Sequence, residues 1–478
     1  MYENLSSYIT NINSNVFCLK GLPEEVISVL FAYYSRSSFS LKENLNKLIN
    51  DGDLAVTKYF ENKDTEELLN AQKKAQEFHS KWTVGYGHSS VSEHSVVHIA
   101  LEDISIVASK VIEDARLASY TEKSTRYVEF DTSKMISAKN LGIGDLEGVY
   151  QDATQSLMKS YIEWQDPFVQ IIKENTPKKE KQTEKGYLSS CRSTALDSLR
   201  YLLPAATYTN VGMTVNARTL ESILAKMNSH YLLEIRELAA KIKAEAQKII
   251  PTLLKYTDAN KFLEEEYLRP FIENTPEDFR TKNEVVLLEP YHSEEDALKL
   301  ICAPYPVKKD ILQYLLANMG KRDKFSRVFE RTSLTFVMYM DFGAYRDVQR
   351  HRMATLVMEP FEPIYGYEVP RGIKELGYYD KYCALMEKAH KAYTSLDDNG
   401  WSYEAQYVLP LAYRVKVTAT MNLRELQHFI ELRTSRQGHY SYRNIAHQVY
   451  KIVEEKYPTI AQFIRCNMED YALTRDEK

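Results

Sequence analysis

The 478 residues carry 61 Lys and Arg against 66 Asp and Glu, a net charge of −5, with 44% hydrophobic and 27% charged residues. That balance belongs to a globular chain able to build more than one core; it excludes wholesale disorder and offers no overall basic footprint for nucleic acid. No apolar run reaches the ~18 residues that a membrane-spanning helix needs, and the first residues lack the form of a secretory leader. The expectation is a cytoplasmic protein with neither membrane nor nucleic-acid partners. Cys18, Cys191, Cys302, Cys383 and Cys466 lie far apart with no C-x-x-C pair, which argues against a disulfide framework or a thiolate zinc site. Only 16 glycines are present, and neither the dinucleotide-binding glycine loop nor the P-loop occurs. Any nucleotide must therefore be held by side chains.

In chain order the first candidate is Gly87-His-Ser-Ser-Val-Ser-Glu93-His94. His88 and His94 share neither i+3 nor i+4 spacing and have no third ligand nearby, so no metal is expected. Val97, Ile99 and Leu101 then alternate as in a strand and lead into Ile104, Val107, Ala108, Val111, Ile112 and Ala115, a helical stripe. Arg116 to Tyr127 follows, with Ser124 and Arg126 alternating on what reads as an extended segment, able to point at one phosphate. Taken alone, that stretch is better read as an ordinary polar strand or turn. Asn175 to Gly186 is polar and aperiodic, a surface insertion. Leu199-Arg-Tyr-Leu-Leu-Pro204 precedes Thr214-Val-Asn-Ala-Arg218 and a helix with Leu220, Ile223, Leu224 and Met227 on one face. Pro251 to about Glu294 reads as a connector broken by Pro270 and Pro276.

The pattern then returns. Leu334, Phe336, Met338 and Met340 alternate before a shorter helix over Phe342 to Arg352. That helix ends in Gln349-Arg350-His351-Arg352, whose side chains point several ways around it and suit a branched anion; a solvated basic helix end is the plain alternative. Ala405-Gln-Tyr-Val-Leu-Pro410 precedes Thr420-Met-Asn-Leu-Arg424 at the spacing seen between Pro204 and Asn216. In the closing helix Leu426, Phe429, Ile430 and Arg433 form one stripe, so Arg433 stands where the first copy has Met227. A buried arginine there needs either an ion-pair partner or a ligand. Such correspondence in type and spacing is the mark of a tandem duplication.

Taken together, these residues resemble the flavin-dependent thymidylate synthases over roughly 15–250 and 285–470. The matching motifs are an E-H pair (Glu93-His94), R-H-R (Arg350-His351-Arg352), E-x-S-x-R-Y (Glu122 to Tyr127), R-x-x-L-P (from Arg200) and an N-x-R helix ending in L-R (Asn422 to Arg433). The departures are complementary. The first half reads Asp114-Ala115-Arg116 for R-H-R and Met227 for the last arginine. The second reads Pro360 and Glu362 for the serine–arginine pair, Gln406 for Arg200 and Arg331 for the histidine.

The resemblance implies an α+β fold of two tandem repeats, each a mostly antiparallel sheet flanked by long helices. The first repeat would span 1–260, a linker 261–290 and the second repeat 291–478. It implies reductive methylation of dUMP to dTMP with FAD, NADPH and methylene-tetrahydrofolate, at a site composed from both repeats. In that reading Arg433 is catalytic. Glu122, Ser124, Arg126, Arg200 and Asp347 bind dUMP. Arg350, His351, Arg352, Asn422, Arg424, His428 and His94 bind FAD. A homodimer would stand in for the family's four subunits. Asp347 and His428 replace the family's glutamine and asparagine, and a carboxylate accepts hydrogen bonds where an amide both donates and accepts. Two alternatives therefore stay open: a C5 one-carbon transferase acting on a related pyrimidine nucleotide, and a flavin- or nucleotide-binding homologue with altered or lost catalysis.

Overall fold

The computed structural model describes residues 3–34, 38–50, 89–268, 284–303, 311–316 and 318–469. His88, Pro270 and Pro276 lie outside the described residues. Strands β1 (Val96–Ser105), β2 (Ala118–Glu122) and β3 (Tyr208–Asn216) form one sheet in the order β1-β3-β2. Strands β4 (Val285–Leu288), β5 (Ser333–Asp341), β6 (Thr355–Met358) and β7 (Arg414–Asn422) form a second in the order β4-β5-β7-β6. The second sheet is antiparallel throughout, and β2 runs antiparallel to β3. The fold is α+β, in two repeats.

The duplication is written in the backbone hydrogen bonds. Helix α1 (Ile106–Ile112) follows β1 and α4 (Phe342–Val348) follows β5, each capped by the last strand residue. The Ser105 hydroxyl accepts from the Ala108 amide at 2.9 Å, and the Asp341 carboxylate from the Ala344 amide at 2.7 Å. The Ile106 and Val107 amides donate to Thr207 and Ala205, as those of Phe342 and Gly343 donate to Tyr413 and Leu411. Asn216 caps α3 (Ala217–Asn228) and Asn422 caps α5 (Leu423–Arg433). Arg218 pairs with Glu93, and Arg424 with Glu330. Ser119 faces Thr214 where Thr355 faces Thr420, which makes Arg126 and Glu362 equivalent positions. β1 is one residue longer than β5, and Asp103 at φ 50 lies in that strand.

The two Leu-Pro segments meet each other. The Ala205 amide donates to Leu409 and the Leu411 amide to Leu203, both at 2.9 Å. This reciprocal exchange is what a local two-fold axis between Pro204 and Pro410 requires.

The described chain forms two compact units drawn differently from the repeats. One takes in the described residues within 1–102, 115–122 and 210–269; the other takes in those within 103–114, 123–209 and 270–478. In the first, Leu5, Ile9, Val26, Leu30, Leu41 and Leu45 make an N-terminal core, and the α3 stripe Leu220, Ile223, Leu224 and Met227 is buried as its spacing implies. In the second, β5 is buried on both faces: Val337 and Tyr339 are covered as well as Phe336, Met338 and Met340. Helix α2 (Glu184–Leu199) leads to Arg200, and α6 (Tyr440–Lys456) follows α5.

Four sequence expectations change. The first helix begins at Ile106, because the strand runs through Ile104 to Ser105, which caps the helix. The second ends at Val348, so Arg350, His351 and Arg352 occupy a turn that runs straight into β6. Ser124 and Arg126 are not on a strand: β2 stops at Glu122, and the Ser124 hydroxyl turns back to accept from the Arg126 amide at 3.2 Å. Finally, Val-Val-Leu-Leu inside the expected connector forms β4 and pairs with β5. It is a short apolar run without a helical period, too brief to stand out from the connector around it.

Candidate functional site

Three arginines converge inside the second compact unit, two from the first repeat and one from the second. Arg126 is held at all three guanidinium nitrogens, by Asp197 at 2.8 Å, the Tyr442 hydroxyl at 3.1 Å and the Gln437 carbonyl at 2.8 Å. Arg200, at the end of α2, is 1% exposed. Its Nη1 lies 3.6 Å from Asp347 and its Nη2 4.0 Å from Asp341. Arg433 closes α5, donating Nε to His351 Nε2 at 2.8 Å and Nη2 to the Asp347 carbonyl at 2.5 Å. The Tyr442 ring lies within 6 Å of both the Arg126 and Arg433 guanidiniums.

Charge is nearly balanced within the cluster, three arginines against Asp197, Asp341 and Asp347, but the acids are not alike. Burial works against the Asp347 carboxylate, yet Arg200, Arg433 and Arg126 outweigh it and hold the group below its ordinary range. Asp197 is pushed up by burial despite Arg126 and Arg200. Asp341, fully buried, is pushed up to about 6, with Glu368 adding to the burial effect and Arg200 opposing it.

His351 is neutral. Arg433 can only donate, so Nε2 is the acceptor and Nδ1 carries the proton, donated to Glu425 at 2.7 Å. Burial first, then Arg433, drives its pKa well below the usual histidine value. His439, wholly buried with Nε2 3.3 Å from the Asp197 carbonyl, is pushed well down in the same way.

The other expected site residues fall elsewhere. Arg350 and Arg352 are exposed on the turn beside His351. His428 sits on α5 with its ring 5.3 Å from that of His351, and its buried Nδ1 has no hydrogen-bond partner. Asn422 is occupied as the α5 cap, and Arg424 by Glu330 and the Phe325 carbonyl. Both roles recur in the other repeat at Asn216 and Arg218, so they belong to the shared architecture. Glu122 and His94 lie in the first unit: Glu122 is the buried end of β2, and the His94 ring is 4.6 Å from Phe31.

Asp197, Asp341, His439, Ser441 and Tyr442 were not singled out from sequence. Two signals for them exist there: a D-x-x-R spacing ahead of Arg200, and Asp341 at the strand–helix junction where the first copy has Ser105.

Fold and site thus define a duplicated α+β chain in which each repeat lends charged groups to one buried arginine–carboxylate cluster. The family model described as thymidylate synthase complementing protein matches residues 44–252 and 283–459, and the chain belongs to that family. A UPF0159 protein of Chlamydia muridarum is 31% identical over 99% of this chain and 95% of its own length, and one of Chlamydia pneumoniae is 33% identical over 96% and 93%. A flavin-dependent thymidylate synthase of Saccharolobus solfataricus is 30% identical over 38% of this chain and 62% of its own length. Among solved structures, a UMP/dUMP methylase from Streptomyces cacaoi bound with 5-Br UMP aligns with 38% of this chain and 95% of its own, at 21% identity and a TM-score of 0.32.

Proposed function

We propose that the chain is a flavin-dependent enzyme that methylates C5 of dUMP, giving dTMP from methylene-tetrahydrofolate with FAD and NADPH, at one site drawn from both repeats. The observation carrying this is the convergence of Arg126 and Arg200 with Arg433, each present in only one copy of the duplicated motif. Arg126, Arg200 and the Ser124 turn hold the nucleotide's anionic end, so that binding energy goes into positioning. Arg433, aimed by neutral His351, stabilises negative charge that develops on the pyrimidine carbonyls. The exposed Arg350 and Arg352 flank His351, whose ring lies 5.3 Å from that of His428 with its unpartnered Nδ1; the set suits a dinucleotide pyrophosphate and would hold FAD. When bound, the flavin supplies the redox chemistry of the methyl transfer. The equivalent turn of the first repeat opens with Asp114 and would repel that pyrophosphate, so one flavin per chain is expected.

Tritium release from C5-labelled dUMP tests the reading directly. Release should require methylene-tetrahydrofolate, FAD and NADPH together. A second reading rests on Asp347, whose carboxylate faces Arg200 and Arg433: a related pyrimidine nucleotide is then the substrate, and release appears with that nucleotide and not with dUMP. Binding of flavin and dUMP with no release from any pyrimidine nucleotide would leave a binding protein.

The proposal extends to a homodimer. Both repeats expose apolar side chains at equivalent positions, Leu117 (74%) with Met353 (62%), and Val128 (42%) with Ile364 (57%). Paired exposure of this kind suits a self-complementary interface with a second copy. Sedimentation should give about twice the 55.5 kDa chain mass. Met353→Lys with Ile364→Asp should shift the protein to monomer; a wild-type monomer at micromolar concentration would count against the dimer.

A further inference from the structure

The end of β5 and the start of α4 hold Arg200 in a way the duplicated copy does not. Arg200 is buried, and neither its Nε nor its Nη2 finds a hydrogen-bond acceptor. Both atoms lie 3.3 Å from where a Cβ on Gly343 would stand, so the missing side chain is what makes room for the guanidinium. The equivalent of Gly343 is Val107, and the equivalent of Arg200 is Gln406.

Asp341 follows the same logic. Its carboxylate is fully buried, accepts from the Ala344 amide and the Ser441 hydroxyl, and lies 4.0 Å from Arg200 Nη2. Ser105 makes the same cap in the other repeat without a charge. Capping therefore does not explain a buried carboxylate, which costs free energy unless it is paired. What differs between the two copies is the residue each one faces.

We propose that Asp341, anchored by Ser441, and the side-chain-free Gly343 form a cradle that positions Arg200 for the anionic part of its ligand; this rests on Arg200 being a nucleotide-binding group. The spacing supports a positioning role. At 3.6 and 4.0 Å, Asp347 and Asp341 act on Arg200 as ion pairs without closing hydrogen bonds on it. They fix the charge and leave Nε and Nη2 able to donate to a ligand oxygen.

The other repeat supplies substitutions already compatible with this turn. Titration calorimetry with dUMP should show binding weakened roughly 10- to 100-fold by Asp341→Ser, by Gly343→Val and by Arg200→Gln. In turnover, Asp341→Ser should raise KM and leave kcat nearly unchanged. Because Asp341 acts through Arg200, the double variant Asp341→Ser/Arg200→Gln should bind no worse than Arg200→Gln alone. Wild-type affinity in Asp341→Ser alongside a weakened Arg200→Gln would overturn the cradle and leave the nucleotide reading intact. Additive losses in the double variant would overturn it too, since Asp341 would then act independently. Wild-type affinity in Arg200→Gln would instead remove the nucleotide role of Arg200 on which the cradle depends.

Discussion

Arg433→Ala is expected to lower kcat/KM for dUMP by roughly 100- to 1000-fold, the range for removing a preorganised donor from a developing negative charge. The loss has two sources. The buried guanidinium is gone, and the neutral His351 that aimed it keeps an Nε2 acceptor with nothing to accept from. Arg126→Ala should cost a similar factor through the nucleotide's anionic end, although Arg126 comes from the other repeat. Its removal also takes from Asp197 the first of the two arginines that oppose its burial, leaving Arg200, so unfolding should be measured beside the kinetics. Met227→Arg and Glu362→Arg, which restore single motif residues to the decayed positions, should create no second site, because several further ligands are missing there. Arg126 and Arg433 both lie against the Tyr442 ring of one chain. Mixtures of the two alanine variants should therefore stay inactive after subunit exchange. Full activity in either single variant would end the idea of one site shared by both repeats.

Asp341→Ser should also stabilise the protein at pH 8 relative to pH 4, by a wild-type-referenced difference of about 2 kcal/mol. The Asp341 carboxyl is raised from 3.8 to about 6 in the folded chain, chiefly by burial. Between those values the folded state binds the proton more tightly than the unfolded state does. Stability from this group is thus fully present at the acid end and is lost as pH rises from about 4 through 6. The groups facing it come from several elements: Arg200 and Tyr201 after α2, Ser441 and Tyr440 on α6, Tyr382, Glu368, and Arg414 on β7. Arg200 and Arg414 favour the charged form through their charge, and the Ser441 hydroxyl and the Ala344 amide through the hydrogen bonds they donate; burial outweighs them. Serine carries no such proton, so urea unfolding of the variant at the two pH values should lack this part of the slope. A wild-type-to-variant difference that does not change with pH would show that Asp341 is ionised at no cost. Gain of stability together with loss of dUMP affinity would be the mark of a residue kept for function.

Much of this was legible in the chain itself. Periodicity and spacing determined the duplication, the strand–helix succession in each copy, the buried stripe of α5 and the anomaly of Arg433 at its end. These are local properties, set by side-chain period and capping chemistry, and they survive in any context that buries the same face. The equivalence of Arg126 with Glu362, read from order alone, is the same one the strand registers impose. Tertiary structure decided the rest. Arg350, His351 and Arg352 lie in a turn because β6 must begin at Thr355 to pair with β7, a demand made far away in sequence. Asn422 and Arg424 also serve as cap and ion pair, a structural role that appears only when both copies are seen doing the same thing. Asp197, Asp341 and Tyr442 gain meaning only where Arg126, Arg200 and Arg433 are brought together. A buried charge announces itself through its partner, and partners hundreds of residues apart become neighbours only when the sheets and helices pack.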